Sequence, residues 1–463
     1  MDGETVAGLR ASQEAVYVIG HRNPDTDSVV SAIGYAWLLR ERDKVNALPA
    51  RAGRLIPQTQ FVLSTFGLEP PRVLTDASPR FSNVVRKIQP LTSDRPLQEA
   101  WALIAQTGRV APVVDPEGCP VGLITAASVF HFLTRRMTGG GEESAEAVRE
   151  IPFGKVLATP CGDAAVTDIP AFELHTRIKD VLNRVLRSER DNFWIIDQDG
   201  RYAGLCWKSD LFRPPRLKLV LIDHNEVSQA IGGVEEAELL EVLDHHRLAN
   251  PTTTIPIAFH IDPVGSSSTL VAERTMRSGL AVTRPIAGAL LSGLLSDTLL
   301  LRSPTTTDRD RIAAIQLAAW AFPGQGDPHA AMTEYGWKLL EAGAELDSRT
   351  SESIVSGDYK EYEGGGFRFG VAQVEVRDMR EVEARLDDLR KALEAMEGEN
   401  RLDFAALMIT DIVDTRSWLL TTPGTHHLDG LPYARLDNGA FDMPGVVSRK
   451  KQLLPAILSV LQA

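Results

Sequence analysis

Two hydrophobic periods alternate along the first seventy residues. "AVYVIG" (15–20) is an unbroken apolar run of the length of a buried strand, and "SVVSAIGYAWLLRER" (28–42) spaces Val29, Ile33, Ala36 and Trp37 at helical intervals. After "GLEPPRV" the texture changes and an internal repeat begins. Asp115, Gly118, Gly122 and Ser128 recur 82 residues later as Asp197, Gly200, Gly204 and Asp210, within "APVVDPEGCPVGLITAASVF" and "FWIIDQDGRYAGLCWKSDLF". Each copy reads as a strand, an Asp/Gly turn, a second strand and a helix start, and each follows a helical run ("RPLQEAWALIAQ", "RIKDVLNRVLR"). A Gly-rich polar connector around 138–141 separates the copies.

"RPPR" (213–216) closes the repeat, and "LKLVLIDHN" restarts the first texture. The simplest parse is a two-copy module inserted into a surface loop of one α/β domain, where insertions are tolerated. The α/β pattern continues through "LEVLDHHR", a helix at "SSSTLVAERTMRSG" with a Gly stop, the apolar "PIAGALLSGLLSDTLL", and a helix at "DRDRIAAIQLAAWAF". A polar junction at 340–350 leads to a third unit. It has strands at "FRFGVAQVEV", "FAALMITDIV" and "SWLLTT", a long charged helix at 378–398 and a terminal helix near "VVSRKKQLLPAILSVL".

The 463 residues suit several domains with sizeable cores. A formal net charge of −13 argues against sequence-independent nucleic-acid binding, which needs a basic surface, but leaves room for a local basic cluster. The longest apolar stretch (285–301) is interrupted by Asp297 and too short for a membrane span. The N-terminus lacks the pattern of a secretory signal, and Cys119, Cys161 and Cys206 form no metal or disulfide motif, so a reduced cytoplasmic setting is expected.

Four apolar runs end in Asp or His: "VIGHRNPDTD", "LVLIDHNE", "EVLDHHR" and "LLSGLLSDT". A turn and a helix cap account for Asn23, Pro24 and one Asp with Ser28, leaving His21 and a second carboxylate without a structural task. If the first three runs are adjacent parallel strands, their carboxyl ends gather His21, Asp25, Asp27, Asp223, Asp244, His245 and His246 in one crevice, with Asp297 able to join. So many carboxylates repel one another unless cations sit among them. Carboxylate and imidazole without thiolate suits Mn, Co, Mg or Zn, and two such ions activate water for attack on phosphorus. Complementary charge comes from Lys360 and from Arg449, Lys450 and Lys451 in "SRKKQ". These three stand at an expected helix N-terminus, where basic residues are unfavourable unless an anion is bound.

Taken in order, "GHRNPDTDS", "LIDHNE", "LDHHR", "GLLSDTLL", "ITDIVDTRSWLL" and "SRKKQLLP" resemble the DHH-type family II inorganic pyrophosphatases in the form that carries an inserted pair of CBS domains. The resemblance covers nearly the whole chain. It implies an α/β fold: a DHH phosphoesterase domain with a parallel sheet (1–72 and 214–342), interrupted by a tandem CBS module (73–213, copies at about 73–135 and 150–213), then a smaller α/β DHHA2 domain (347–463). It implies that His21, Asp25, Asp27, Asp223, His245 and Asp297 bind two Mn²⁺ or Co²⁺ ions, with Asp27 and Asp223 shared. His246 would lie beside the leaving phosphate, Asp244 would orient a ligand, and Lys360, Arg449 and Lys450 would hold pyrophosphate, with Mg²⁺ arriving on the substrate. The junction at 340–350 would act as a hinge. A homodimer is also implied.

CBS pairs typically bind adenine nucleotides, here AMP, ADP, ATP or a diadenosine polyphosphate. The usual signature has Thr or Ser after the second strand for phosphate and Asp three residues later for ribose. The first copy keeps Thr125 but has Ser128, and the second keeps Asp210 but has Trp207. That pattern leaves either one composite nucleotide site or a module that only supports dimerisation. Competing readings of the whole chain are a short-chain exopolyphosphatase, a cyclic-dinucleotide phosphodiesterase, or a non-enzymatic nucleotide sensor.

Overall fold

The computed structural model describes residues 15–107, 110–137, 152–249, 253, 256–344, 350–376, 379–411, 414 and 416–462. The Gly-rich connector at 138–141 and residues 345–349 of the polar junction lie outside them. The chain divides into two compact units: one of 1–77 with 217–463, the other of 78–216.

In the first unit the chain opens with β1 (Val16–Ile19), α1 (Thr26–Asp43), β2 (Ala47–Arg51), α2 (Pro57–Phe66) and β3 (Arg72–Val73). Strand β1 is apolar throughout because both its faces are covered. Val16 and Val18 join the helix-side core, while Tyr17 and Ile19 join a second core on the other face. Each such fully buried side chain contributes roughly 1.5–3 kcal/mol.

The second unit is built from two copies of one motif. The first has β4 (Leu91–Thr92), α3 (Leu97–Thr107), β5 (Val110–Val114), β6 (Pro120–Thr125) and α4 (Ala126–Met137), with a short α5 (Phe153–Leu157) leading into the next. The second has β7 (Ala171–Glu173), α6 (Ile178–Arg187), β8 (Asn192–Ile196) and β9 (Tyr202–Trp207). Both three-stranded sheets pair their first two strands parallel and the last two antiparallel. Val113 faces Gly122 as Ile195 faces Gly204, so the sequence repeat is a repeat of register. Each copy borrows the segment that precedes the other: Arg86 bridges to Leu205 in β9, and Val166 to Leu123 in β6. A Cβ on Gly204 would lie 2.7 Å from the Arg86 carbonyl oxygen, which explains glycine at that crossing.

The first unit resumes with β10 (Lys218–Ile222), β11 (Glu238–Asp244), β12 (Ala258–Ile261) and four helices: α7 (Ser267–Ser278), α8 (Arg284–Asp297), α9 (Asp308–Ala321) and α10 (Pro328–Ala344). Six parallel strands stand in the order β12-β11-β10-β1-β2-β3, so the three strands expected to be neighbours are neighbours. Helix α7 ends at Gly279 in the left-handed conformation, the Gly stop expected there.

Next come α11 (Ser351–Gly357), β13 (Tyr359–Gly364), β14 (Phe367–Val376), α12 (Met379–Glu383), α13 (Leu386–Asn400), β15 (Phe404–Asp411), β16 (Arg416–Thr421), β17 (Ala434–Arg435), β18 (Phe441–Pro444) and α14 (Leu454–Leu461). They build a mixed sheet of order β13-β14-β15-β16-β18-β17. The single charged helix expected over 378–398 is two helices, α12 and α13, parted at Arg385. No helix among the described residues is long and apolar enough to cross a membrane.

Candidate metal centre and anion clamp

The carboxyl ends of β1, β10 and β11 deliver His21, Asp223 and the triplet Asp244–His246 to one edge of the parallel sheet. Asp223 adopts φ +63°, a left-handed conformation that costs a residue with a β-carbon about 1–2 kcal/mol. It remains tied to the sheet through its N–H to the Leu243 carbonyl (3.0 Å) and is fully buried. His21 Nε2 lies 3.1 Å from Asp25 Oδ2 and 3.3 Å from Asp223 Oδ2. Asp25 also caps α1, its Oδ1 accepting the Ser28 N–H at 2.9 Å. The capping carboxylate and a clustered carboxylate are therefore the same residue.

Asp27, inside the first turn of α1, meets the N-terminus of α7. Its Oδ1 accepts from Ser266 Oγ (2.7 Å), Ser268 Oγ (2.5 Å) and the Ser268 N–H (3.0 Å), and its Oδ2 from the Ser267 N–H (2.7 Å). His245 Nδ1 bonds the Val264 carbonyl at 3.1 Å, so Nδ1 carries the proton and Nε2 presents a lone pair. That Nε2 is 3.2 Å from Asp223 Oδ1 and 3.5 Å from Asp297 Oδ2. Asp297 ends α8, and Leu299, Leu300 and Leu301 follow it in consecutive left-handed conformations.

These atoms fall into overlapping groups whose ligand atoms lie within 4.8 Å of one another: His21, Asp25 and Asp223; Asp27, Asp223, His245 and Asp297; and Asp223 with Asp244, His245 and His246. Asp223 is common to all three groups, and Asp27 stands in one. Asp244 accepts the backbone N–H of His245 (2.7 Å) and the His246 Nδ1 proton (2.7 Å) on Oδ1. Its Oδ2 is held by Asn225 Nδ2 at 2.5 Å.

The mixed sheet brings cations to the same place. Lys360, buried on β13, puts Nζ 2.9 Å from His21 Nε2 and 3.8 Å from Asp25 Oδ2. Arg449 opens a π-helical turn, Arg449–Leu453, that runs into α14. Its guanidinium is 2% exposed and bonds Asp358 Oδ1 (2.7 Å) and the carbonyls of Val371 (3.1 Å) and Asp358. Lys450 Nζ lies 2.6 Å from His246 Nε2. A cavity of about 140 Å³ is lined by residues from both sheets, among them Asp25, His245, His246, Asp297, Arg449 and Lys450. Among the described residues, no Phe, Tyr or Trp lines it.

The charges divide unevenly. Burial and the neighbouring Asp223 raise the Asp27 carboxyl to about 6. Burial, with Asp27 and Asp25 beside it, pushes Asp297 well above the usual carboxylate range. Burial also works to raise Asp223, but Lys450, His21 and His245 carry it well below that range. Burial and the proximity of Lys450 depress Lys360 to about 7, and burial with Lys450 and His245 depresses His246 to about 3. Five clustered carboxylates, two of them unable to ionise comfortably, are what a divalent pair would relieve. His21 Nδ1, Asp223 Oδ2 and His245 Nε2 are buried without a hydrogen bond, and the latter two point into the cluster. The donor set fits two hard-to-borderline cations.

Two supporting residues stand outside the motifs read from the sequence, although the capping-box spacing of Thr307 and Asp310 marks the second. Gln58 on α2 accepts from Thr26 Oγ1 and Ser296 Oγ (both 2.7 Å), tying the start of α1 to the end of α8. Buried Asp310 receives the Gly265 N–H, Thr269 Oγ1 and Thr307 and so fixes the loop before α7. Helices α2 and α10 were likewise not expected. In the two-copy module, Thr125 Oγ1 accepts the Ser128 N–H (3.0 Å), and Ser128 Oγ accepts the Thr125 N–H (2.9 Å). Asp210 is clasped by Arg86 at 2.7 and 3.0 Å, and the Arg86 guanidinium stands 4.8 Å over the Trp207 ring.

A parallel α/β body that clusters carboxylate and imidazole, faced by a mixed-sheet body that supplies buried cations, defines a protein built to hold divalent ions against an anionic ligand. Residues 15–294 match the DHH family N-terminal domain and 338–460 the DHHA2 domain; the chain belongs to the DHH family. It is 29% identical to a probable manganese-dependent inorganic pyrophosphatase of Thermotoga maritima, over 97% of this chain and 99% of that one. It is 26% identical, over the same shares, to a cobalt-dependent inorganic pyrophosphatase of Clostridium perfringens. A crystallographic structure from Methanococcus jannaschii, provisionally assigned to family II inorganic pyrophosphatases, superposes with a TM-score of 0.61 at 24% identity, covering 97% of this chain and all of that one. At that identity the likeness speaks to the fold.

Proposed function

We propose that this chain hydrolyses inorganic pyrophosphate to two phosphates as a manganese- or cobalt-dependent enzyme. The observation that carries the reading is the placement of Lys360 against His21 and of Lys450 against His246, with Arg449 and Lys450 lining one small cavity beside His245, His246 and Asp297 that has no Phe, Tyr or Trp among its described walls. A nucleotide substrate would want stacking surface there; a bare polyanion does not. His21, Asp25 and Asp223 would hold one ion and Asp27, Asp223, His245 and Asp297 the other, with Asp223 alone shared. Held there, such ions would lower the pKa of water so that its deprotonated form is available to attack phosphorus at neutral pH. Lys360, Arg449 and Lys450 neutralise the charge that grows on the phosphoryl oxygens. His246, its Nδ1 proton held by Asp244, presents Nε2 as an acceptor to Lys450 Nζ and so would orient that ammonium beside the leaving phosphate.

Phosphate release from pyrophosphate with Mg²⁺, before and after incubation with Mn²⁺ or Co²⁺, tests this, with tripolyphosphate and a cyclic dinucleotide in parallel. Metal-stimulated release from pyrophosphate alone is expected. Silence on pyrophosphate with turnover of another substrate would move the activity to a different phosphoesterase.

We further read the two-copy module as a CBS pair whose adenine-nucleotide site uses Thr125 and Asp210. An entering ribose must displace Arg86 from Asp210, so binding is expected to be weak. Calorimetry with AMP, ADP and a diadenosine polyphosphate checks it, and no heat with any of them leaves the module a dimerisation element. A homodimer accords with β12, an exposed edge strand paired on one side only. A cytoplasmic setting accords with three free cysteines.

A further inference from the structure

Lys451, the third member of the basic triplet, has no part in the reaction described above. Its Nζ donates to the main-chain carbonyl of Val264 at 2.6 Å. The same carbonyl accepts from His245 Nδ1 at 3.1 Å, and its two lone pairs accommodate both donors. Val264 leads directly into the Gly265–Ser268 segment, which Asp310 anchors and which grips Asp27. One ammonium on the turn that carries Arg449 and Lys450 is thus tied to the backbone that orients two candidate metal ligands.

An apolar contact runs beside this tether. Val447 packs with Leu299 and Leu340, and Leu299 stands two residues beyond Asp297. The turn itself is drawn together by Gln452, whose Oε1 accepts the N–H groups of Val447 (2.9 Å) and Ser448 (3.0 Å). A shift of Lys451 or Val447 must therefore move Arg449 and Lys450 with it.

We propose that Lys451 is a positioning residue: by capping the Val264 carbonyl it sets the spacing between the cationic turn and the His245 and Asp27 segment. This rests on the proposed roles of those residues. Lys451 also lines the cavity, so the competing role is a third contact to substrate phosphate.

The two roles separate in Lys451→Met, which keeps the apolar stem and removes the donor. The manganese-loaded, substrate-free protein is followed by hydrogen–deuterium exchange, and the same preparation by elemental analysis and steady-state kinetics. Expected are faster exchange in both 262–268 and 446–453, metal retained, kcat within about twofold, and KM for pyrophosphate raised about 5- to 30-fold, since the competent arrangement is less populated. Lys451→Arg should recover most of the KM, and Val447→Ala should show the same split between KM and kcat. Unchanged substrate-free exchange, or a fall in kcat at constant KM, would overturn the proposal and mark Lys451 as a phosphate contact. If the wild-type protein does not turn over pyrophosphate, the functional reading fails, while the exchange comparison, which needs no substrate, still decides the tether.

Discussion

Replacing Ser268 with alanine takes one donor from Asp27 and little else. Four donors now reach that carboxylate: Ser268 Oγ (2.5 Å), Ser266 Oγ (2.7 Å), and the N–H groups of Ser267 (2.7 Å) and Ser268 (3.0 Å). A hydrogen bond to a charged group contributes about 1.5–3 kcal/mol, and three donors would remain, so the lower end applies. That is about tenfold in affinity for a divalent ion held by Asp27, within the range expected when a ligand's supporting partner is removed.

The pH dependence has a definite sign. Asp27 is raised to about 6, by burial first and Asp223 next, while His245 and Ser268 draw it down. A cation binds the ionised form, so affinity is full above this pKa and falls as pH drops through it. Losing the Ser268 hydroxyl raises the carboxyl further, and the fall should begin about one pH unit higher. Competition of Mn²⁺ against a chelating dye between about pH 5.5 and 8, on wild type and Ser268→Ala, measures both effects. Equal dissociation constants at every pH would refute the assignment of Asp27 as a ligand, and a loss of the same size at every pH would refute its titration.

Other substitutions probe the clamp and the packing. Arg449→Ala should lower kcat by about 10²–10³-fold with metal content unchanged by elemental analysis, and metal loss would count against its role on the substrate. At Gly293 an added methyl would lie 2.5 Å from Ser268 Oγ and 2.6 Å from Asp27 Oδ1 and Val30 Cγ2. Gly293→Ala should therefore lower the melting temperature, by about 1–3 kcal/mol of strain, and weaken Mn²⁺ binding together; intact binding would show that Asp27 can yield. Gly398, in α13, has open space around its missing side chain, so Gly398→Ala should instead raise the melting temperature, by about 0.5–1 kcal/mol in stability.

Much of this architecture is local, and what is local can be read from sequence. Apolar runs at β1 and β10 specify strands buried on two faces, and the Asp or His that closes or soon follows β1, β10 and β11 must fall near a strand end. The repeated Asp/Gly turns impose the same register on both copies of the module because a turn's backbone geometry is set by its own residues. Asp25 shows the limit of such reasoning. A capping role and a place in the cluster looked like alternatives, yet one carboxylate has two oxygens and serves both.

By itself the sequence determined which chemical groups are present, in what order, and on what kind of local backbone. Tertiary structure decided which of them meet. His21 and Lys360 touch although 339 residues separate them, and Asp297 joins the cluster from a helix end rather than a strand end. Asp27 meets the Ser266–Ser268 segment although Ser266 lies 239 positions further along the chain. Gln58 acts through partners far along the chain, so no periodicity or spacing marks it, and the basic triplet that marks Lys451 does not reveal its contact with Val264. Strand order and the packing of one sheet against another set those partnerships, and they depend on the whole fold rather than on any window of residues.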